Sequence, residues 1–234
     1  MLVSVVIGAL NEEKYIGSTI ASVKAQKTRH KIELIVGDGY SEDATVKIAK
    51  KLGAKVVKEK NRSAAWERQA GAKTARGEVI AFTDADARVP PDWVDKIASE
   101  FSANPKLCLL YGPVYFSDAG PLDYILSKTI MPAFMLLTSL VGAHNTIGSN
   151  FAVRRKVFEK AGGFNTTLRT AEDLDLTRRM EPLGDVKYMG GLSIDVSARR
   201  VKKWGYPKFV AYHIANAIKY HLTGKSHSDY EDVR

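Results

Sequence analysis

Val79-Ile80-Ala81-Phe82-Thr83-Asp84-Ala85-Asp86-Ala87 decides how the rest of the chain is read: an apolar run ends in two carboxylates one residue apart. An extended strand ending in Asp-x-Asp sets hard oxygen ligands at the carboxyl edge of a sheet, where α/β folds bind ligands. Such oxygens suit Mg²⁺ or Mn²⁺, ions that bridge a protein carboxylate to a diphosphate. Taken alone, the same pair also reads as turn or helix-capping residues. The neighbouring segments discriminate.

Upstream, strand-like and helix-like segments alternate. Val3–Ile7, Ile32–Val36 and Lys55–Val57 read as strands, and helical patterns run through Ile16, Ile20 and Val23, across Ala44–Leu52 and across Ser63–Ala75. Such alternation predicts an α/β fold, a mostly parallel sheet flanked by helices. Downstream, helices are expected at Asp92–Phe101, Arg155–Ala161 and from Ala171 to Leu183, with a strand at Leu107–Tyr111. Residues 122–148 are apolar, with Leu126, Ile130, Phe134, Leu137 and Val141 at helical spacing; a buried core helix and an interfacial, acceptor-binding helix both fit.

The chain of 234 residues, 45% hydrophobic and 26% charged, is long enough for a full globular core. A single cysteine, Cys108, excludes an intramolecular disulfide and fits a reducing compartment. The first residues read as a strand and lack a secretory pattern, so a cytoplasmic location is expected. The longest uncharged apolar run, Thr129–Ala143, is 15 residues and contains Pro132, short of the ~20 that span a bilayer. Net charge is +9, and Arg199–Lys225 holds two Arg and five Lys with no acid. That block favours polyanions such as nucleic acid, anionic lipid or a phosphorylated substrate, and equally fits a solvated surface.

Glu12 follows the first strand, Asp38 the second, Asp84 and Asp86 the fourth, and Glu172-Asp173 open a later helix. In a parallel sheet the first three groups line one crevice. Here the chain resembles the family 2 glycosyltransferases, nucleotide-sugar-dependent enzymes of the GT-A fold. The resemblance rests on Val5-Val6-Ile7-Gly8-Ala9-Leu10-Asn11-Glu12-Glu13, Val36-Gly37-Asp38-Gly39-Tyr40-Ser41, Arg68-Gln69-Ala70-Gly71, Thr83-Asp84-Ala85-Asp86, Gly162-Gly163-Phe164 and Ala171-Glu172-Asp173-Leu174-Asp175-Leu176. It covers about residues 1–185 and implies a GT-A domain, bounded here at 1–198 because the basic block from Arg199 sets off an amphipathic tail over 199–234.

The resemblance also implies roles. Backbone at Ala9 and the Glu12 carboxylate would hold the nucleotide's ribose, Asp38 would accept from the N–H of uracil or guanine, and Arg68 would lie near the nucleotide. Asp84 would sit on the ribose and metal side, with Asp86 ligating Mg²⁺ or Mn²⁺ against the diphosphate of a UDP- or GDP-sugar. Asp173 matches the general base of an inverting displacement, with Glu172 orienting base or acceptor. The Gln-x-x-Arg-Trp signature of processive polysaccharide synthases is missing; Arg199-Arg200-Val201-Lys202-Lys203-Trp204 is not that motif.

In the tail, residues 206–222 draw as a helix with Ala211, Ile214, Ala215, Ile218 and Leu222 on one face and Trp204, Tyr206, Tyr212 and Tyr220 nearby. Basic amphipathic segments with aromatic residues lie well in a membrane interface. This suggests peripheral attachment at the cytosolic membrane face and a lipid-linked acceptor, a polyprenyl phosphate or a lipid-linked sugar. Packing of that helix on the domain or on a second subunit is the alternative. His213, His221 and His227 are too irregularly spaced to predict a metal site. A nucleotidyltransferase would want a basic Gly-rich loop where Gly8–Glu13 is acidic, and the acidic crevice argues against nucleic acid as partner.

Overall fold

The computed structural model describes residues 1–226. Strand β1 (Leu2–Ala9) lies between β2 (Lys31–Asp38) and β4 (Val79–Asp84), parallel to both, and β3 (Lys55–Lys58) extends the sheet beyond β2. Register sets Ala9 opposite Asp38 and Gly8 opposite Asp84, so the carboxyl ends of three strands form one edge. The other half of the sheet is not parallel throughout. Strand β8 (Phe151–Arg154) enters antiparallel between β4 and β6 (Leu107–Tyr111), and β9 (Asp185–Tyr188) closes the order β3-β2-β1-β4-β8-β6-β9.

Both faces of this sheet are covered, which is why β1 reads as near-continuous apolar sequence. Val3, Val5 and Ile7 pack on one side against helices α1 (Ile16–Lys24) and α4 (Trp93–Ala103), while helix α2 (Thr45–Lys51) adds Ala49. Val6, Ile35, Ile80 and Phe82 pack on the other side against α3 (Ala64–Lys73), α6 (Arg155–Lys160) and α7 (Glu172–Met180). Phe82 stacks on Phe151 at 4.7 Å, with Phe158 and Phe164 completing an aromatic cluster beneath β8. Helix α3 is built from small residues because it lies almost on the sheet: a Cβ on Gly37 would fall 1.9 Å from the Glu67 carbonyl oxygen.

A second sheet, β5 (Ala87–Arg88), β10 (Ile194–Val196) and β7 (Val114–Tyr115) in the order β5-β10-β7, sits beyond the Asp-x-Asp turn. Buried Asn150 ties it to the main sheet, donating to the carbonyls of Pro113 and Leu192 and accepting from Trp93 Nε1 at 3.0 Å.

Helix α5 (Pro121–Leu140) is the helix expected over 122–148, but it is no core helix: only Ser127 and Met135 are buried. Leu137 and Val141, which the spacing placed on its apolar stripe, are 65% and 80% exposed. Helices α8 (Arg199–Trp204) and α9 (Tyr206–Thr223) complete the described chain. α9 packs on the domain through Tyr206, Phe209, Ala217 and Tyr220, leaving Ala211, Ala215, Ile218 and Leu222 exposed. Packing therefore uses the aromatic face of α9 and not its aliphatic stripe. Among the described residues no helix is long and apolar enough to cross a membrane.

Candidate active site

The loops after β1 and β2 are zipped together before any side chain reaches the crevice. Asn11 N–H donates to Ser41 Oγ, Glu42 N–H to Asn11 Oδ1, and Glu12 N–H to Thr45 Oγ1 at 2.7 Å. Among the described residues, the non-glycine residues with positive φ are Asn11, Tyr40 and Ala171, and each lies in a loop bordering the crevice. Left-handed backbone costs energy for such residues and concentrates where a site dictates loop shape.

One pocket of about 370 Å³ is lined by Glu12, Arg68, Asp84, Asp86, Glu172 and Asp173, six of the eight residues the sequence pointed to. Ala9 and Asp38 stand behind its wall. Asp38 is fully buried and accepts from the Ser41 N–H, and the Ala9 carbonyl accepts from the Gly39 N–H.

Arg68 joins the two halves. From α3 its guanidinium donates to Asp84 Oδ1 at 2.6 Å and to Glu172 Oε1 at 2.5 Å. Gly148 leaves room for it: a Cβ there would lie 2.8 Å from both terminal nitrogens. Burial disfavours the guanidinium charge, but the carboxylates of Asp84 and Glu172 outweigh it and hold Arg68 charged. Glu172 is thus committed to Arg68. Its neighbour Asp173 accepts from the Leu174 N–H. Burial, aided by the Glu172 charge, pushes the Asp173 carboxyl well above the usual carboxylate range.

The second arginine, Arg199, was not among the residues expected here. Its guanidinium forks onto Glu12, with Nη1–Oε2 2.9 Å and Nη2–Oε1 2.6 Å, and reaches Asp86 Oδ2 at 3.2 Å. Burial pushes the Asp86 carboxyl up to about 7 against the pull of Arg199, with Asp84 and Glu12 adding to the rise. Carboxylates crowded at one strand end, one of them resisting ionisation, form a donor set that a hard divalent cation would relieve. Among the described residues no three or more His, Cys, Asp or Glu cluster as a complete protein cage.

Arg62, Arg169 and Arg200 also line the pocket, and Met131 and Phe134 of α5 and Phe209 and Tyr212 of α9 form an apolar part of its wall. His213 of α9 borders it as well, whereas His227 lies outside the described residues. The sequence carried no local signal for Arg199, whose partner Glu12 is 187 positions away.

Comparison with known proteins agrees with this geometry. The sequence model of "Glycosyl transferase family 2" matches residues 4–162. An uncharacterized glycosyltransferase of Haemophilus influenzae is 25% identical over 182 residues, covering 76% of this chain and 62% of that protein. A glucosyl-dolichyl phosphate glucuronosyltransferase of Haloferax volcanii is 30% identical over 184 residues, covering 71% and 56%. The chain thus spans under two thirds of the length of these relatives. Among solved structures, a mannosyltransferase from Pyrobaculum calidifontis in complex with GDP-Man and Mn²⁺ superposes with a TM-score of 0.69 at 21% identity, over 96% of this chain and 65% of that one. The strand order, the Asp-x-Asp turn at the sheet's carboxyl edge and the family match converge: the chain belongs to glycosyl transferase family 2 and has the GT-A fold.

Proposed function

We propose that this chain catalyses inverting, divalent-cation-dependent transfer of a sugar from a UDP- or GDP-sugar to a hydroxyl of a lipid-linked, phosphate-bearing acceptor at a membrane surface. The observation that carries the reading is the single pocket in which Arg68 joins the Asp84–Asp86 edge to the helix start bearing Asp173. A divalent ion held by Asp86 and Asp84 would neutralise charge on the departing nucleoside diphosphate. Glu12 would hold the ribose, and Arg68 fixes Asp84 in position. Asp173 takes the acceptor hydroxyl's proton on its carboxylate as the new glycosidic bond forms, and its raised pKa suits a base working near neutral pH. Attack from the base's side as the diphosphate leaves from the other inverts the anomeric centre.

The acceptor class is supported by the composition of the pocket wall. Arg169 and Arg200 offer a phosphate charge-assisted donors, and Met131, Phe134, Phe209 and Tyr212 offer a lipid apolar contact. The Haloferax volcanii relative, whose name specifies a glucosyl-dolichyl phosphate, supports the same class.

Thermal-shift measurements with UDP-, GDP- and dTDP-sugars test the donor half. At least one nucleotide sugar is expected to raise the melting temperature with Mn²⁺ and not with chelator, a ligand at about 100 Kd contributing about 2.7 kcal/mol. If no nucleotide stabilises the protein with metal and Asp86→Ala changes nothing, the transferase reading falls.

Membrane attachment rests on two exposed aliphatic stripes: Leu122, Ile125, Leu137 and Leu140 of α5, and Ile218 and Leu222 of α9, all at least half exposed. Each Leu or Ile withdrawn from water contributes about 1.5–3 kcal/mol. Ile218→Glu with Leu222→Glu is therefore expected to lower co-flotation with phosphatidylglycerol vesicles at least about tenfold. Equal flotation of variant and wild type removes the membrane from the proposal.

A further inference from the structure

Arg199 is the residue whose position the proposed chemistry does not explain. It opens α8, on the tail side of the last strand, yet its side chain lies in the donor half of the pocket. Four contacts hold it there: two hydrogen bonds to Glu12, an ion pair with Asp86, and the Tyr15 ring 5.3 Å from the guanidinium carbon. A paired fork onto a carboxylate is the strongest geometry available to arginine, and it is selective for arginine over lysine.

The other anchor of this segment lies outside the pocket. Asp118 accepts from the Ala198 N–H at 2.6 Å and pairs with Lys202 at 3.1 Å. The start of α8 is therefore pinned twice, once to the surface by Asp118 and once to the donor site by Arg199. Only the second pin engages a carboxylate wanted for another purpose.

We propose that Arg199 is a built-in cation that competes with the divalent ion for Asp86, so that the donor site and the α8–α9 tail are energetically linked. The inference rests on the metal-dependent reading of the site. Arg199 already pairs with Asp86 Oδ2, and a divalent ion drawn to the same carboxylate beside Arg199 meets a like charge. Loading of the ion therefore loosens Arg199, and by reciprocity anything that pulls Arg199 away favours loading. Since α9 lines the same pocket through Phe209, Tyr212 and Asn216, the linkage lets a bound donor alter that wall.

The experiment is Mn²⁺ binding to the nucleotide-free protein, read by the loss of the free-ion electron paramagnetic resonance signal. Arg199→Gln is expected to bind Mn²⁺ about tenfold more tightly than wild type, and Arg199→Lys, which keeps the charge and loses the fork, to fall between them. Wild-type protein supplies a second readout without a variant: amide exchange at residues 199–205 is expected to rise when Mn²⁺ is added. Equal or weaker Mn²⁺ binding by a folded Arg199→Gln overturns the competition, as does exchange at 199–205 that is indifferent to Mn²⁺. If neither protein binds Mn²⁺ the competition is also overturned. Sugar transfer assayed with and without chelator on the same preparations then shows separately whether the transferase reading survives.

Discussion

Asp173→Asn is expected to lower sugar transfer by about 10²–10⁴-fold, the usual contribution of a positioned general base, while raising the melting temperature of the protein. Both effects come from one cause. The Asp173 carboxyl is held above its ordinary pKa by burial and by the Glu172 charge beside it. A folded-state pKa raised above the unfolded value means that the fold favours the protonated form. The stability this group contributes is fully present below the unfolded pKa of about 3.9 and is lost as pH rises through the folded value. At neutral pH the ionised carboxylate therefore burdens the fold, and asparagine removes that burden while keeping an oxygen to accept from the Leu174 N–H. The gain in melting temperature should shrink as the pH is lowered toward 4. Wild-type turnover should show an acid limb at a pKa above the ordinary carboxylate range, absent in the variant. A variant that loses less than about tenfold in rate would instead indicate an acceptor already ionised, such as a lipid phosphate, for which no base is required.

Arg68→Ala is expected to cost about 3–5 kcal/mol of folding stability, the penalty for breaking a buried ion pair from one side. The guanidinium is 5% exposed and is the hydrogen-bonded partner of both Asp84 and Glu172. Removing it leaves two carboxylates facing each other across a truncated side chain. Against a typical total of about 5–15 kcal/mol the loss is large. It should be measured by urea denaturation, where a lower midpoint at unchanged slope identifies it as a stability change. Arg68→Lys keeps the charge but has no fork to serve two carboxylates, and should fall between wild type and alanine. A loss below about 1 kcal/mol for Arg68→Ala, the value of an ordinary surface pair, would show that Arg68 is not the link between the two halves.

The first half of the fold was legible because its strands are apolar runs that each stop at a residue with a local reason to stop. Val79–Phe82 ends in Thr83-Asp84, and Ile32–Val36 ends in Gly37-Asp38. The register then brings those ends to one edge. β8 and β10 are only four and three residues long, too short for a period to show, and what places them is Asn150 bonding carbonyls far away in the chain. α5 was legible as a helix but not as a surface helix. Its sequence is apolar nearly all round, so the spacing of Leu126, Ile130 and Phe134 could not say which face packs. The carboxylates of the site were visible from their places at strand and helix ends. Arg68 was named through the family motif, but its pairing with Glu172 was not, and Arg199 was not named at all, because ion pairs across 104 and 187 positions leave no trace in local pattern.

The antiparallel insertion of β8 has a consequence for synthesis of the chain. β4 and β6 are made first, yet neither can pair with the other, because β8 lies between them. A nascent chain that has passed Tyr111 but not reached Phe151 therefore leaves open the β8-facing edge of β4 and both edges of β6, because β9 is also still to come. Such edges are templates for pairing with another chain. Ribosome pausing within residues 112–150 should thus be the most aggregation-exposed interval in the birth of this protein; emergence of Phe151–Arg154 covers one edge of each strand, and the far edge of β6 waits for β9.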